Sequence, residues 1–342
     1  AGDQRLHKGS TGWTENSECG LMDGHDMKQT HRHTHRDRER EEERSCIYVF
    51  VLSWTDAGDA IIIRYQLQHL GEEGCYETVA LDLRGMGDSG GSVRGQEYSC
   101  DALVKDVVGV VHSLGYDKCF LAGHDIGGIL AWCVVKAAAS VVEKLVILNA
   151  PHPYVYYQNL SLSQFLKSYY MFIFLYPVVP ETMLSLNAYD FVEKGIVLEN
   201  RENLSESDVD ILKRNLFDKG KIALTCMLNY YRSFVFPCLY QQKCPQVFSC
   251  RDFVRSSKGS GDPSQSAVAG RGGVFPERKT TTTQQRQQQT NLLDWSMPID
   301  VETLVIWGLG DTFLDHKVCL GSTLQQVVRN LHVVKLQECS HW

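Results

Sequence analysis

Residues 119–128 read Cys-Phe-Leu-Ala-Gly-His-Asp-Ile-Gly-Gly. A short apolar run suited to a strand meets a glycine-rich bend, and an Ala-rich helical stretch follows to about Val142. A G-x-nucleophile-x-G turn needs small residues two before and two after its centre, because strand and helix approach closely there and the backbone is strained. The usual centre is Ser; here it is Asp125. Backbone N–H groups at a helix N-terminus favour negative charge. A carboxylate so placed can attack carbon directly, which suits strained or activated electrophiles. Taken alone, the pattern fits equally well an Asp that caps an ordinary helix.

Outward from this turn, strands and helices alternate. Glu77–Leu83 and Leu145–Asn149 read as strands. The apolar spacing of Leu103, Val104, Val107, Val108, Val110 and Val111 predicts a helix over Asp101–Leu114. Ile47 opens a buried strand (IYVFVL), and the pattern resumes at Glu302–Trp307 and Leu331–Leu336. This is the pattern of a mostly parallel sheet flanked by helices, an α/β class. Between the two blocks, 153–244 is aromatic-rich and helical in pattern, and an insertion there would cap the sheet's carboxyl edge. Residues 1–46 read as a disordered polar tail, and 245–296 as a low-complexity insertion containing TTTTQQRQQQT. The core is therefore expected over 47–152 and 297–342.

The 342 residues carry 34 Lys+Arg against 41 Asp+Glu, a net charge of −7, which argues against a nucleic-acid partner. No apolar run reaches the ~18–20 residues of a spanning helix. Twelve cysteines are scattered without a C-x-x-C pair and read as reduced. His31, His33 and His35, beside the alternating-charge run RDREREEER, read as a solvated tail rather than a metal site. The expectation is a chain with no metal and no cofactor.

Two later residues complete a pattern with Asp125. Asp311 follows a strand in Trp307-Gly308-Leu309-Gly310-Asp311, at the edge where open α/β sheets keep their sites. His341 follows the last strand in Cys339-Ser340-His341-Trp342. Nucleophile, acid and histidine stand in the chain order of α/β-hydrolases.

Together, GHDIGG (123–128), ALDLRGMGDS (80–89), NAPHP (149–153), WGLGD (307–311) and SHW (340–342) resemble the epoxide hydrolases of the α/β-hydrolase fold, in particular the animal epoxide hydrolase 3- or 4-like branch. The resemblance covers about 64–244 and 296–342. It implies an α/β-hydrolase fold with an inserted helical cap. It also implies an ether-bond hydrolase in which Asp125 is the nucleophile, His341 activates water and Asp311 orients it. Tyr231 and Tyr170 match the two cap tyrosines that polarise the epoxide oxygen, Tyr169 being one step away. The backbone N–H of Ile126, which replaces the family's usual Trp, supplies one oxyanion donor. The implied partners are a small apolar epoxide, a lipid epoxide by family, and water. Localisation is expected to be intracellular, in the cytoplasm or at the endoplasmic-reticulum membrane. A membrane anchor belongs to related animal enzymes and is not within these residues.

The chain departs from the family at three points, one of them the low-complexity insertion around 245–290. Where the family has His-Gly-x-Pro, it has Trp54-Thr55-Asp56-Ala57. Losing an oxyanion donor there would cost about 2.7–4 kcal/mol of barrier. The core also reads as C-terminally truncated, since family members continue past the His-Trp pair with a helix. Two other functions fit the same turn: a catalytically impaired binding protein of this fold, favoured by the lost His-Gly-x-Pro, and a haloalkane dehalogenase, disfavoured because Ile126 offers no side-chain N–H to a halide.

Overall fold

A computed structural model of the chain describes residues 13–14, 29–33, 47–51, 63–72, 77–87, 89–186, 205–209, 220–241 and 294–341. The six parallel strands come from the runs that the apolar pattern picks out. They are β3 (Ile47–Val51), β4 (Glu77–Leu81), β5 (Cys119–His124), β6 (Val142–Leu148), β7 (Glu302–Gly308) and β8 (Leu331–Leu336). Every residue of β4 and of β5 is buried, as a strand covered on both faces requires. Two further strands, β1 (Trp13–Thr14) and β2 (Gln29–His33), extend the sheet beyond β4, giving the order β1-β2-β4-β3-β5-β6-β7-β8. β2 runs antiparallel to β4.

These two strands lie within the stretch expected to be a disordered tail. Pairing uses main-chain groups, so a polar strand can occupy a sheet edge that offers a free row of them. The rest of 1–46, and 245–293 of the expected insertion, lie outside the described residues. Trp295 belongs to the core rather than to the insertion, since it is buried against His152.

Helices pack on both faces. α1 (Arg64–Glu72) precedes β4, and α2 (Cys100–Ser113) buries Leu103, Val104, Val107, Val108 and Val111. The N-terminus of α2 is capped by the Ser99 hydroxyl, which accepts from Ala102 N–H. α3 (Asp125–Ala138) is apolar on nearly all sides and buried over most of its length. Six described cysteines are free thiols, five of them buried, including Cys119 and Cys133. Cys238 is disulfide-bonded, which corrects the reading of a wholly reduced chain.

Between β6 and β7 stand the short helices α4 (Pro153–Gln158), α5 (Leu162–Lys167), α6 (Tyr169–Phe174), α7 (Val179–Leu186), α8 (Gly220–Tyr230) and α9 (Phe236–Tyr240). α8 and α9 are joined through one π-helical stretch, Tyr231–Val235. After β7 come α10 (His316–Cys319) and α11 (Ser322–Val327). Among the described residues, no helix is long and apolar enough to cross a membrane.

Candidate active site

Strand register gathers the candidate residues. His124 pairs with Leu148, Leu148 with Ile306, and Gly308 with Leu336. The residues just beyond these strand ends therefore meet at one carboxyl edge of the sheet.

Asp125 holds φ at 50°, a left-handed conformation that a non-glycine residue rarely adopts. The elbow is possible because nothing projects beside it. A Cβ on Gly123 would lie 2.6 Å from the Gly127 carbonyl oxygen, and one on Gly128 would meet the Ala150 methyl. Gly128 is thus the second residue whose smallness the turn needs.

His341 Nε2 lies 3.7 Å from Asp125 Oδ1, and His341 Nδ1 lies 2.8 Å from Asp311 Oδ2. A carboxylate only accepts, so Nδ1 carries the proton and Nε2 is left as the basic nitrogen. The side chains of His341 and Asp311 are buried, while that of Asp125 is 18 % exposed. The structure thus brings together the three residues that chain order picks out.

Asp311 is held from three sides. Phe313 and Leu314 N–H donate to Oδ1, each at 2.8 Å. Asn149 Nδ2 donates to Oδ2 at 2.7 Å, while Asn149 Oδ1 accepts from Gly308 N–H at 2.9 Å. Burial pushes the Asp311 carboxyl up. The positive charge His341 can carry, with the hydrogen bonds from His341, Asn149 and Leu314, outweighs that and leaves it below the usual range. Asn149 itself adopts φ 40°.

His124 Nε2 donates to the His341 carbonyl at 2.8 Å, with the two rings 4.9 Å apart. Burial, and then the charge on His341, pull the His124 pKa down to about 4. It therefore packs against the catalytic candidate as a neutral ring. Sequence reading assigned no role to His124 or Asn149, although both stand inside quoted motifs.

From the cap, Tyr170 and Tyr231 face the same space. Their rings stand edge to face, 6.2 Å apart. Tyr231 opens the π-helical stretch, whose widened turn redirects its side chain relative to an α-helix. Burial, then the negative charge of Asp125, raise the Tyr170 pKa and keep its hydroxyl protonated. A cavity of about 290 Å³ lies between the helices that follow β6 and the carboxyl edge of the sheet. Asp125, Ile126, His341, Tyr170 and Tyr231 all line it, and its remaining wall is mainly apolar, with Ile129, Met171, Val235, Leu239 and Phe313. Tyr169 also reaches the wall but is 62 % exposed. The loop Trp54-Thr55-Asp56-Ala57 lies outside the described residues, as does Trp342.

Gln164, on α5, joins cap to acid loop. Its amide donates to the Phe313 carbonyl and to Ser168 Oγ, each at 2.9 Å, and accepts from Asp315 N–H at 2.7 Å. It thereby grips the turn whose N–H groups hold Asp311. Gln164→Leu leaves these buried groups unpaired and is expected to lower stability by roughly 2 kcal/mol, measured by urea unfolding.

An acid-backed histidine beside a carboxylate on a strained elbow, at the carboxyl edge of a β1-β2-β4-β3-β5-β6-β7-β8 sheet, is the arrangement of the α/β-hydrolase fold. The comparisons agree. Residues 51–206 match the model of the alpha/beta hydrolase family. Over that stretch the chain is similar to that family, and it is also similar to the epoxide hydrolases 3 and 4. It is 37 % identical to epoxide hydrolase 3 of Xenopus tropicalis over 178 residues, 50 % of this chain and 47 % of the relative. To human epoxide hydrolase 4 it is 35 % identical over 184 residues, 52 % of this chain and 49 % of the relative. The chain thus spans about half the length of the curated relatives it matches. Among solved structures, an inhibitor complex of the Bacillus megaterium epoxide hydrolase superposes with a TM-score of 0.58 at 25 % identity, covering 86 % of each chain. An epoxide hydrolase from Vigna radiata superposes with a TM-score of 0.63 at 20 % identity, over 97 % of this chain and 92 % of that one.

Proposed function

We propose that the protein is an epoxide hydrolase that opens an apolar epoxide, of the lipid class, to a vicinal diol through an ester on Asp125. The observation that carries this reading is the facing arrangement across one apolar cavity. The Asp125 carboxylate and the His341 base lie on the sheet side, and two phenols lie on the cap side. A strained ether oxygen needs donors as its bond to carbon breaks, and two hydroxyls supply them.

In the first step Asp125 Oδ forms a bond to a ring carbon, that carbon's bond to the ring oxygen breaks, and the oxygen takes a proton from a tyrosine hydroxyl. In the second, His341 Nε2 removes a proton from water, whose oxygen attacks the ester carbonyl. The acyl–oxygen bond breaks, the leaving alkoxide takes the proton held on His341 Nε2, the Asp125 carboxylic acid returns a proton to the tyrosinate, and the diol departs. Ile126 N–H is positioned by sequence at the start of α3 to receive the oxyanion. Asp125 regains its carboxylate with one oxygen from water. Turnover of a styrene-type epoxide in ¹⁸O-water therefore puts the label into the peptide bearing Asp125. Diol formed without label there would overturn the ester route.

Removing one phenol tests the cap's share. Tyr231→Phe is expected to slow ester formation about 10²-fold, read as the single-turnover rate, with ester hydrolysis little changed. A haloalkane dehalogenase reading finds less support, because the nucleophile is followed by Ile126, which has no side-chain donor.

A further inference from the structure

The cavity carries one charged group that the reaction above does not use. Lys167 is the last residue of α5 and lines the cavity. Among the described residues it is the one lysine or arginine on that wall. Its Nζ donates to the Asp311 carbonyl at 3.5 Å, a long contact. Thr312 and Phe313, the next residues of that loop, also line the cavity, which places the head of the side chain on the cavity's side of the loop. An ammonium offers three donors, and among the described residues this one forms no ion pair.

Lys167 is half-buried, so what fills the cavity matters to its charge. A wholly apolar ligand takes water from the ammonium and returns no partner, which is unfavourable. A carboxylate on the ligand replaces that water with a charge-assisted hydrogen bond. Like charge keeps the same carboxylate away from Asp125, so the ring is the end of the ligand that faces the nucleophile.

We propose that Lys167 is a specificity-determining residue, selecting epoxides that carry a carboxylate a short chain away from the ring. The short spacing follows from the cavity, since about 290 Å³ must hold both groups and the chain between them. This selection rests on the epoxide-opening reading above and narrows its substrate to anionic epoxides. The test compares 5,6-epoxyhexanoate with 5,6-epoxyhexanamide, which matches it in length and shape without the charge. The parent is expected to favour the acid about tenfold or more in kcat/KM. Lys167→Met is expected to remove that preference, Lys167→Arg to keep most of it, and Lys167→Glu to turn it toward the amide. The acid-to-amide ratio is taken within each protein, so a smaller folded fraction does not alter it.

Two results overturn the proposal. In one, the parent takes the amide as readily as the acid. In the other, Lys167→Met loses turnover of both substrates equally, and the lysine then serves the Asp311 loop rather than the ligand. Binding of hexanoate and hexanamide, read by saturation-transfer NMR, needs no epoxide. Hexanoate is expected to bind the parent about tenfold more tightly than hexanamide does, and Lys167→Met no more tightly. If that difference holds while neither epoxide is turned over, the reaction falls and the anion site stands. If both epoxides are turned over at equal rates and the two ligands bind alike, the anion site falls and the reaction stands.

Discussion

Asp125→Asn is expected to reduce epoxide turnover by about 10⁴-fold or more and to abolish ester formation, whereas His341→Gln is expected to permit one round of alkylation and then stall. The contrast follows from geometry. Asp125 lies on the cavity wall opposite the two phenols, so the first bond can form without any base. His341 contributes its Nε2, 3.7 Å from Asp125, only when water must be deprotonated. Intact-mass measurement separates the two: Asp125→Asn should show no adduct, and His341→Gln one epoxide equivalent per chain. Asp311→Asn should fall with His341→Gln, since a carboxamide no longer fixes the Nδ1–H form of the ring that the 2.8 Å contact requires. An alkylated Asp125→Asn protein would remove Asp125 as nucleophile. A His341→Gln protein with full turnover would remove the histidine from the second half-reaction.

The architecture was legible where an apolar run ends in a turn. β3, β4, β5, β7 and β8 coincide with or begin at the residues that the pattern picks out; in β3, β4 and β5 this is because buried strands must be continuous apolar runs, whereas β8 carries the same run at an exposed edge of the sheet. Asp125, Asp311 and His341 were legible for a related reason: each sits just past such a strand, where the register delivers it to one edge. Tyr170 and Tyr169 could not be separated by pattern, being adjacent on one helix. The structure turns Tyr170 toward Tyr231 and leaves Tyr169 largely in solvent. Asn149 and Gln164 were invisible as functional residues. Their roles are contacts to groups 162 and 149 positions away, and no local spacing encodes a pairing at that range. β2 escaped because a polar strand, here paired between β1 and β4, carries no apolar signature.

His152 makes the stability of the fold depend on pH, and His152→Phe is expected to remove much of that dependence. The ring is buried between Trp132 and Trp295, edge to face, at centroid distances of 4.9 and 5.3 Å. Neither ring nitrogen has a hydrogen-bond partner among the described residues. Burial, reinforced by the nearby positive charge of Lys136, holds its pKa down at about 3. In the unfolded chain the same side chain titrates near ~6.5. Above that pH neither state binds the proton and stability is at its full value. As the pH falls from there toward about 3, only the unfolded chain takes the proton up, so stability declines. The loss is about 2 kcal/mol by pH 5 and roughly 4 kcal/mol by pH 3. His124, with its pKa lowered to about 4, acts in the same direction. Phenylalanine keeps the ring's shape between the two indoles and removes two desolvated nitrogens. The variant should therefore match or exceed the parent in urea unfolding at pH 7.5. At pH 5 it should exceed it by about 2 kcal/mol more. A variant less stable than the parent by the same margin at both pH values would mean that the imidazole is held by a polar contact that stabilises it. The neutral, solvent-free ring would then be the wrong description of this part of the core.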